Sequence, residues 1–125
     1  MTATNNKIEL MLNQNGKRGV VMIRENYLLL SEFILKTIGQ RKQIRMSDLL
    51  EKASRQLFAG LEANLCWHVL QVKLDLEARG FITTNGTARL HRLPFLKLTR
   101  KGEKAIKGRD AIGVESFQLV LLADE

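Results

Sequence analysis

The side chains that could carry out catalysis or bind a metal are few in this chain of 125 residues. Cys66 is the only cysteine, and with His68 and His91 it falls short of the four ligands that zinc usually takes. Ser47, His68 and Asp75 have the residue types of a catalytic set, but helix capping and surface positions account for all three. No nucleophile elbow or phosphate-binding glycine loop accompanies them. We therefore expect a protein that is not an enzyme and that has no metal and no cofactor.

The basic residues are more informative, because they are concentrated in one segment. The chain has 20 Lys and Arg against 13 Asp and Glu, a net charge of +7. Residues 83–109 hold eight basic groups against Glu103 alone, whereas residues 61–82 have a net charge of −1. A concentrated basic segment favours a polyanionic partner, since neutralised phosphates release their counterions. A solvated basic face is the alternative that charge alone leaves open.

Length and composition indicate one domain with a hydrophobic core. Chains of this length usually form a single domain, and the 45% hydrophobic content argues against disorder. No apolar run approaches the roughly 20 residues of a membrane helix, and the polar N-terminus has no apolar signal region. We expect a soluble cytoplasmic protein without membrane contact. In it, an N-terminal extension (1–25) and a C-terminal element (108–125) flank a central domain (26–107).

The hydrophobic pattern predicts an N-terminal hairpin. Ile8, Leu10 and Leu12 alternate as in a strand. Asn15-Gly16 is a turn signal, because both residues tolerate positive φ, and a β-prone run follows at 20–23. A small two-stranded hairpin is therefore expected before the first helix.

Three helices are expected next, separated by short connectors. Asn26 is the expected cap of the first helix and Gly39 its end, and the basic connector 40–45 has room for one short strand. Ser47 is the expected cap of the second helix. The third helix, from about Glu62 to Arg79, has the clearest amphipathic pattern. Its expected core face consists of Leu61, Leu65, Val69, Val72 and Leu76.

A two-stranded hairpin is expected after Gly80, which can turn the chain from helix into strand at positive φ. Residues 81–84 are β-prone, and Asn85-Gly86 is a second tight-turn signal. Either of the segments 87–93 and 95–99 can form the second strand and pair antiparallel with residues 81–84. The hairpin would carry much of the basic charge.

The last part of the chain adds a helix and one ambiguous segment. Lys101–Lys107 is expected to be a short helix. Gly102 is expected to mark a change of direction. The pattern of residues 114–122 fits either a strand or a helix. Together, the elements predict an α+β fold of the winged helix-turn-helix type. It has a three-helix core plus a two-stranded wing, with an N-terminal hairpin and a short C-terminal element.

Two short motifs are similar to those of winged helix-turn-helix regulators. Leu76-Glu77-Ala78-Arg79-Gly80-Phe81-Ile82 resembles the junction between third helix and wing in many bacterial and archaeal regulators. Leu98-Thr99-Arg100-Lys101-Gly102 resembles the segment after the wing in MarR-type and PadR-type transcriptional regulators. The resemblance covers about residues 26–107. It implies a non-catalytic regulator that occupies operator DNA as a homodimer, with the hairpin and Val114–Leu122 as dimerisation elements.

In such a fold, the third helix enters a major groove and the wing touches the flanking backbone or minor groove. The candidates for base contact are polar residues of the third helix: Asn64, His68 and Gln71. The candidates for backbone contact are cations of the wing and of the segment after it: Arg89, Arg92, Lys97, Arg100 and Lys101. Further candidates for backbone contact, which the sequence does not place on the same face as the wing, are Lys17, Arg18, Arg41, Lys42 and Arg45. Double-stranded DNA is the expected partner, and the sequence indicates no particular small-molecule effector.

An apolar strip on the third helix favours a different function. Trp67, Leu70 and Leu74 lie opposite the expected core face, where a DNA-binding helix would be polar. We expect Trp67 to pack against the N-terminal hairpin, the C-terminal segment or a second subunit. The alternative function is a winged-helix module that docks a protein partner through this strip. Association with RNA through the basic surface is a third possibility that the sequence leaves open.

Overall fold

A computed structural model describes residues 7–11, 18–56, 65–85, 95–111 and 113–122. Within these residues the chain is α+β, as predicted, with two small antiparallel sheets. The elements in chain order are β1 (Lys7–Met11), β2 (Arg18–Ile23), α1 (Arg24–Arg41), β3 (Gln43–Arg45), α2 (Met46–Gln56), α3 (Leu65–Ala78), β4 (Ile82–Asn85), β5 (Phe95–Leu98), α4 (Arg100–Ala111) and α5 (Val114–Leu121).

The N-terminal strands form the predicted hairpin. β1 and β2 pair antiparallel with Ile8 opposite Met22, and the side chains of Ile8, Leu10 and Met22 are buried. These side chains belong to the same hydrophobic core as those of the helices. The predicted turn at Asn15-Gly16, like Leu12, lies outside the described residues.

β2 continues directly into α1, and this continuity sets where the helix begins. Ile23 pairs with Lys7 at the end of the hairpin and occupies the N-cap position with an extended backbone, φ −63° and ψ 132°. The prediction that Asn26 caps this helix is wrong, because the hairpin has already started the helix at Arg24. Asn26 therefore lies in the first turn.

The end of α1 also differs from the prediction. The helix continues past Gly39 to Arg41, so Gly39 does not end it. A Cβ atom at Gly39 would lie 3.2 Å from Cδ1 of Leu98 in β5, so the glycine allows the helix and the strand to approach closely. Lys42 is the C-cap residue and has a φ of +67°, a backbone conformation that costs an L-residue about 1–3 kcal/mol.

β3 and α2 follow each other without a loop. The short strand allowed for in the basic connector is present as β3, and α2 begins at Met46. The prediction that Ser47 caps this helix is therefore wrong, since Ser47 lies in its first turn. As at α1, a preceding strand sets the position at which the helix begins. α2 buries Leu49 and Ala53 in the core.

The second sheet has the strand order β3–β5–β4, and both pairings are antiparallel. Its inner face includes Ile44, Ile82 and Leu96, which are buried. Of the two predicted returning segments, 95–98 is the strand that pairs with β4. Asn85 lies opposite Phe95, so the connection consists of residues 86–94, and a two-residue turn at Asn85-Gly86 does not join these strands directly.

The remaining helices complete the core. α4 is longer than the predicted helix, and residues 114–121 form the helix α5, which buries Phe117 and Leu121. Across the described ranges, no helix combines the length and the apolar character that crossing a membrane requires. The predicted core face of α3 is confirmed for Leu65, Val69, Val72 and Leu76, whereas Leu61 lies outside these ranges.

Candidate nucleic-acid interface

A buried polar cluster joins α1 to α3. The Tyr27 hydroxyl donates a hydrogen bond to Oδ2 of Asp75 at 2.5 Å, and Arg79 Nε donates to both carboxylate oxygens of Asp75 at 2.9 Å. The guanidinium carbon of Arg79 lies 5.8 Å from the centre of the Tyr27 ring. Burial raises the pKa of the Tyr27 hydroxyl well above its ordinary value, and the charge of Asp75 raises it further, so the hydroxyl remains a donor. We call these side chains the Tyr27–Asp75–Arg79 cluster.

The prediction that Asp75 is a surface residue is wrong. Asp75 is fully buried, because it flanks the core face of α3 next to Leu76 and one turn before Arg79. Buried charges persist when they are paired and hydrogen-bonded, as here. Together with the buried apolar face of α3, the cluster sets the rotation of the helix about its axis and thus the side chains that α3 presents to solvent.

The outward face of α3 carries the apolar strip. Trp67 and Leu70 are 45% and 40% exposed, and Leu74 is half-buried. β1 packs against α3, and Trp67 and Leu70 nevertheless remain partly exposed. Trp67 keeps almost half of its surface exposed, so the expected packing against the N-terminal hairpin or the C-terminal segment is only partial. Packing of Trp67 against a second subunit remains a prediction.

The polar candidates of α3 are only partly accessible. His68 and Gln71 are half-buried, and the His68 ring meets the Trp67 ring edge-on, with 5.2 Å between centroids and 86° between planes. Asn64 lies outside the described part of the chain. α3 contains one Lys or Arg residue, Lys73, whose ammonium group lies 2.9 Å from Oε1 of Glu77. The described face of α3 therefore offers no unpaired Lys or Arg to a phosphate.

Glu77 also ties β4 to α3. The Thr84 hydroxyl donates to Oε2 of Glu77 at 2.6 Å, while Lys73 occupies the other carboxylate oxygen. Burial alone would raise the pKa of Glu77, but the hydrogen bonds from Thr84 and Lys73 outweigh it and bring the pKa below its ordinary value. Glu77 is therefore charged at neutral pH and holds the strand to the helix.

The two sequence motifs contact each other at the junction between α3 and the sheet. Gly80 has a φ of +87°, as predicted for a residue that ends a helix, and the Phe81 amide donates to the Leu76 carbonyl at 2.9 Å. The Thr99 hydroxyl donates to the Gly80 carbonyl at 2.5 Å, and the Thr99 amide donates to the Phe81 carbonyl at 3.0 Å. The segment after β5 thus closes the turn that follows α3.

Lys101 and Gly102 hold the start of α4 against this junction. The Lys101 ammonium donates to the Arg79 carbonyl at 2.9 Å and lies 4.6 Å from the centre of the Phe81 ring. This candidate DNA contact is therefore engaged within the protein. The prediction that Gly102 marks a change of direction is wrong, because Gly102 lies inside α4. A Cβ atom there would overlap the Phe81 carbonyl, so the glycine permits the close approach of α4.

The outer face of the β3–β5–β4 sheet and the residue that begins α4 carry exposed cations. Arg45 and Lys97 alternate with the buried residues of β3 and β5, and Arg100 is exposed just after β5. The Arg45 guanidinium carbon lies 5.3 Å from the centre of the Phe95 ring. We call these three residues the outer-face cations, and none of them forms an ion pair within the part of the chain that is described. The candidates that lie outside that part are Arg89 and Arg92.

Most of this architecture falls within a known family model. A family of unknown function, DUF6958, matches residues 7–92, from β1 to the segment that follows β4. The match includes the Tyr27–Asp75–Arg79 cluster and the apolar strip of α3, whereas β5, α4 and α5 lie beyond it. Comparison with curated proteins and with solved structures gives no match.

Proposed function

The chain belongs to this family of unknown function, DUF6958, and we propose that it is a non-catalytic DNA-binding regulator of the winged-helix type. The order of elements supports the proposal. Three helices precede β4 and β5, which flank residues 86–94, and β3 from the connector after α1 completes the sheet. In this arrangement, α3 faces a major groove and the wing segment 86–94 follows the adjacent backbone.

The observation that carries the proposal is the position of the outer-face cations. Arg45 and Lys97 lie on the two neighbouring strands β3 and β5, and Arg100, separated from β5 by Thr99, begins α4. No carboxylate pairs with them among the described side chains, so their charges are available to phosphates. Contacts to phosphates supply most of the non-specific affinity of a protein for DNA.

α3 has a different part in this proposal. Its outward face is apolar, so its contribution to affinity comes from contact with base edges rather than from charge. Trp67 and Leu70 can pack against thymine methyl groups, and Gln71 can pair with an adenine edge. In this proposal, the sheet and the wing supply the electrostatic attraction to DNA, and α3 supplies the preference for particular base sequences.

The fluorescence of Trp67 tests this arrangement, because Trp67 is the only tryptophan of the chain. Duplex DNA is expected to reduce acrylamide quenching of Trp67, since the bases would cover a side chain that is 45% exposed in the free protein. Protection should disappear at high salt, where phosphate contacts weaken. Unchanged quenching in a sample whose DNA is shown by anisotropy to be bound would mean that α3 does not face the DNA.

A second function is favoured by the same exposed strip. Trp67 and Leu70 form an apolar surface of the kind that is buried at the centre of protein interfaces. The segments expected to support a homodimer also expose apolar side chains, Val21 in β2 and Leu119 in α5. Docking of a second copy of this chain predicts that Trp67 becomes protected as protein concentration rises without DNA. Leu70→Glu should abolish that protection.

A further inference from the structure

A groove of about 570 Å³ lies between the last turns of α1, the end of β5 and the middle of α4. Four of its lining residues are lysines from three different parts of the fold: Lys36 in α1, Lys42 at its C-cap, Lys97 in β5 and Lys107 in α4. We call this feature the lysine groove. Its volume lies within the range of about 300–1,000 Å³ that small-molecule sites usually have.

The charges around the lysine groove are poorly balanced. Glu103 is the one acidic lining residue, and within the described ranges no carboxylate forms an ion pair with any of the four lysines. All four lysines are exposed and line the same groove, so an anion with several charges bound there would be attracted to each of them.

The floor of the lysine groove is apolar. Leu98 and Ile106 are half-buried there, and Gly39 brings α1 close to Leu98 without a side chain that would fill the space. A ligand that fits this surface needs an apolar or ring portion as well as negative charge. The Glu103 carboxylate offers an acceptor for a hydroxyl or amino group of that portion.

The backbone of Lys42 adds an independent observation. Lys42 has a φ of +67°, a conformation that glycine adopts without strain and that lysine adopts at a cost. Strained residues of this kind cluster at active sites and ligand clamps. Lys42 lines the groove, so a role in binding would account for a lysine at this position.

The lysine groove contacts the C-terminal end of β5, away from the Asn85–Phe95 pair. β4 and β5 separate into residues 86–94 at the Asn85–Phe95 pair, whereas the groove contacts β5 at Lys97 and Leu98. Only Lys97 belongs to both the groove and the outer-face cations. The groove and the proposed DNA surface can therefore be tested separately through Lys36, Lys42 and Lys107.

We propose that the lysine groove binds a small organic phosphate that carries several negative charges and an apolar or ring portion. The phosphates lie among the lysines, because compact ammonium groups act as point charges for phosphate oxygens. The organic portion covers Leu98 and Ile106. This site does not depend on the proposed DNA binding.

Calorimetric titration at low salt tests the site with ATP, inorganic triphosphate and adenosine as probes. ATP should bind at least fivefold more tightly than triphosphate, because only ATP also covers the apolar floor, and adenosine should bind more weakly than either. Lys42→Gly and Lys107→Gln should each weaken ATP binding about five- to tenfold, as expected for one lost charge contact. The matched control is Lys104→Gln, an exposed lysine of the same helix that does not line the groove, and it should change affinity less than twofold.

A loss of ATP binding in Lys42→Gly would not be caused by unfolding. The substitution relieves the strained backbone, so the midpoint temperature of unfolding should be unchanged or raised. Three results would overturn the proposal. The first is an absence of ATP binding at millimolar concentration. The second is a loss of ATP affinity in Lys104→Gln equal to that in Lys107→Gln, which would show that ATP is attracted to the basic chain in general and not to the groove. The third is loss of duplex DNA binding, but not of ATP binding, in Lys42→Gly and Lys107→Gln, which would make the groove a nucleic-acid contact.

Discussion

Asp75→Asn is expected to lower the free energy of unfolding by about 3–5 kcal/mol. The substitution keeps the size of the side chain but removes the negative charge that faces the Arg79 guanidinium, whose side chain is 2% exposed. It also replaces a charge-assisted hydrogen bond from the Tyr27 hydroxyl with a neutral one. Urea unfolding followed by far-UV circular dichroism measures the change in free energy.

The chain contains a matched control for this substitution. Glu51 and Arg55 form an ion pair with the same spacing along a helix, 2.8 Å long, but their side chains are 62% and 71% exposed. Glu51→Gln should therefore cost no more than about 0.5 kcal/mol, because water and salt already screen the pair. Equal costs for Asp75→Asn and Glu51→Gln would show that the Tyr27–Asp75–Arg79 cluster does not hold α3 in place.

Gly102→Ala is expected to lower the free energy of unfolding by about 3 kcal/mol. The added methyl group would overlap the Phe81 carbonyl and lie 3.3 Å from Cδ2 of Leu98. The Phe81 carbonyl is backbone and already accepts the Thr99 amide, so it cannot move without disturbing the junction. α4 would have to shift away and weaken the contact between Lys101 and the Arg79 carbonyl. Thermal or chemical unfolding measures the loss.

Gly39→Ala is the control for a glycine-to-alanine change within a helix. Its Cβ would meet only the end of the Leu98 side chain, at 3.2 Å, and that end can move. The gain in helix propensity of up to about 1 kcal/mol should offset the tight contact. A loss of about 3 kcal/mol in both variants would mean that contact with the Phe81 carbonyl is not what makes Gly102→Ala costly.

Local patterns in the sequence predicted the elements whose partners lie nearby. The alternation at Ile8 and Leu10 indicated the hairpin, and the spacing of Val69, Val72 and Leu76 indicated the buried face of α3. Gly80 was assigned correctly because a positive φ after a helix is a local requirement. These features depend on periodicity and turn chemistry, which a sequence displays directly.

The errors arose where a distant part of the chain decides the outcome. Asn26 and Ser47 were predicted as caps because capping residues are local signals, but strands that lead into both helices set the helix starts. Local signals predict that Gly39 ends a helix and that Gly102 marks a change of direction, whereas each glycine allows a close approach to a residue far away in sequence. Sequence periodicity carries no information about such contacts.

The burial of Asp75 could have been inferred in part. Asp75 and Arg79 are four residues apart and flank the core face of α3, a spacing that favours an ion pair on a helix. The third member, Tyr27, could not be assigned, because nothing in the sequence shows which face of α1 packs on α3. The sequence likewise does not show that Lys97 and Arg45 lie on the same face of the sheet, because this follows from the register between β3 and β5.

DNA binding through the outer-face cations is tested by the salt dependence of binding to random-sequence duplex DNA, measured for the full chain and three single-charge variants. If the outer-face cations contact phosphates, the logarithm of affinity should fall steeply with the logarithm of salt concentration, and Lys97→Ala and Arg100→Ala should each reduce that slope by about 1. Lys107→Ala removes the same charge from an exposed site two turns further along α4 and should leave the slope unchanged. Absence of binding at low salt, or an equal reduction of the slope in all three variants, would contradict DNA binding through this face.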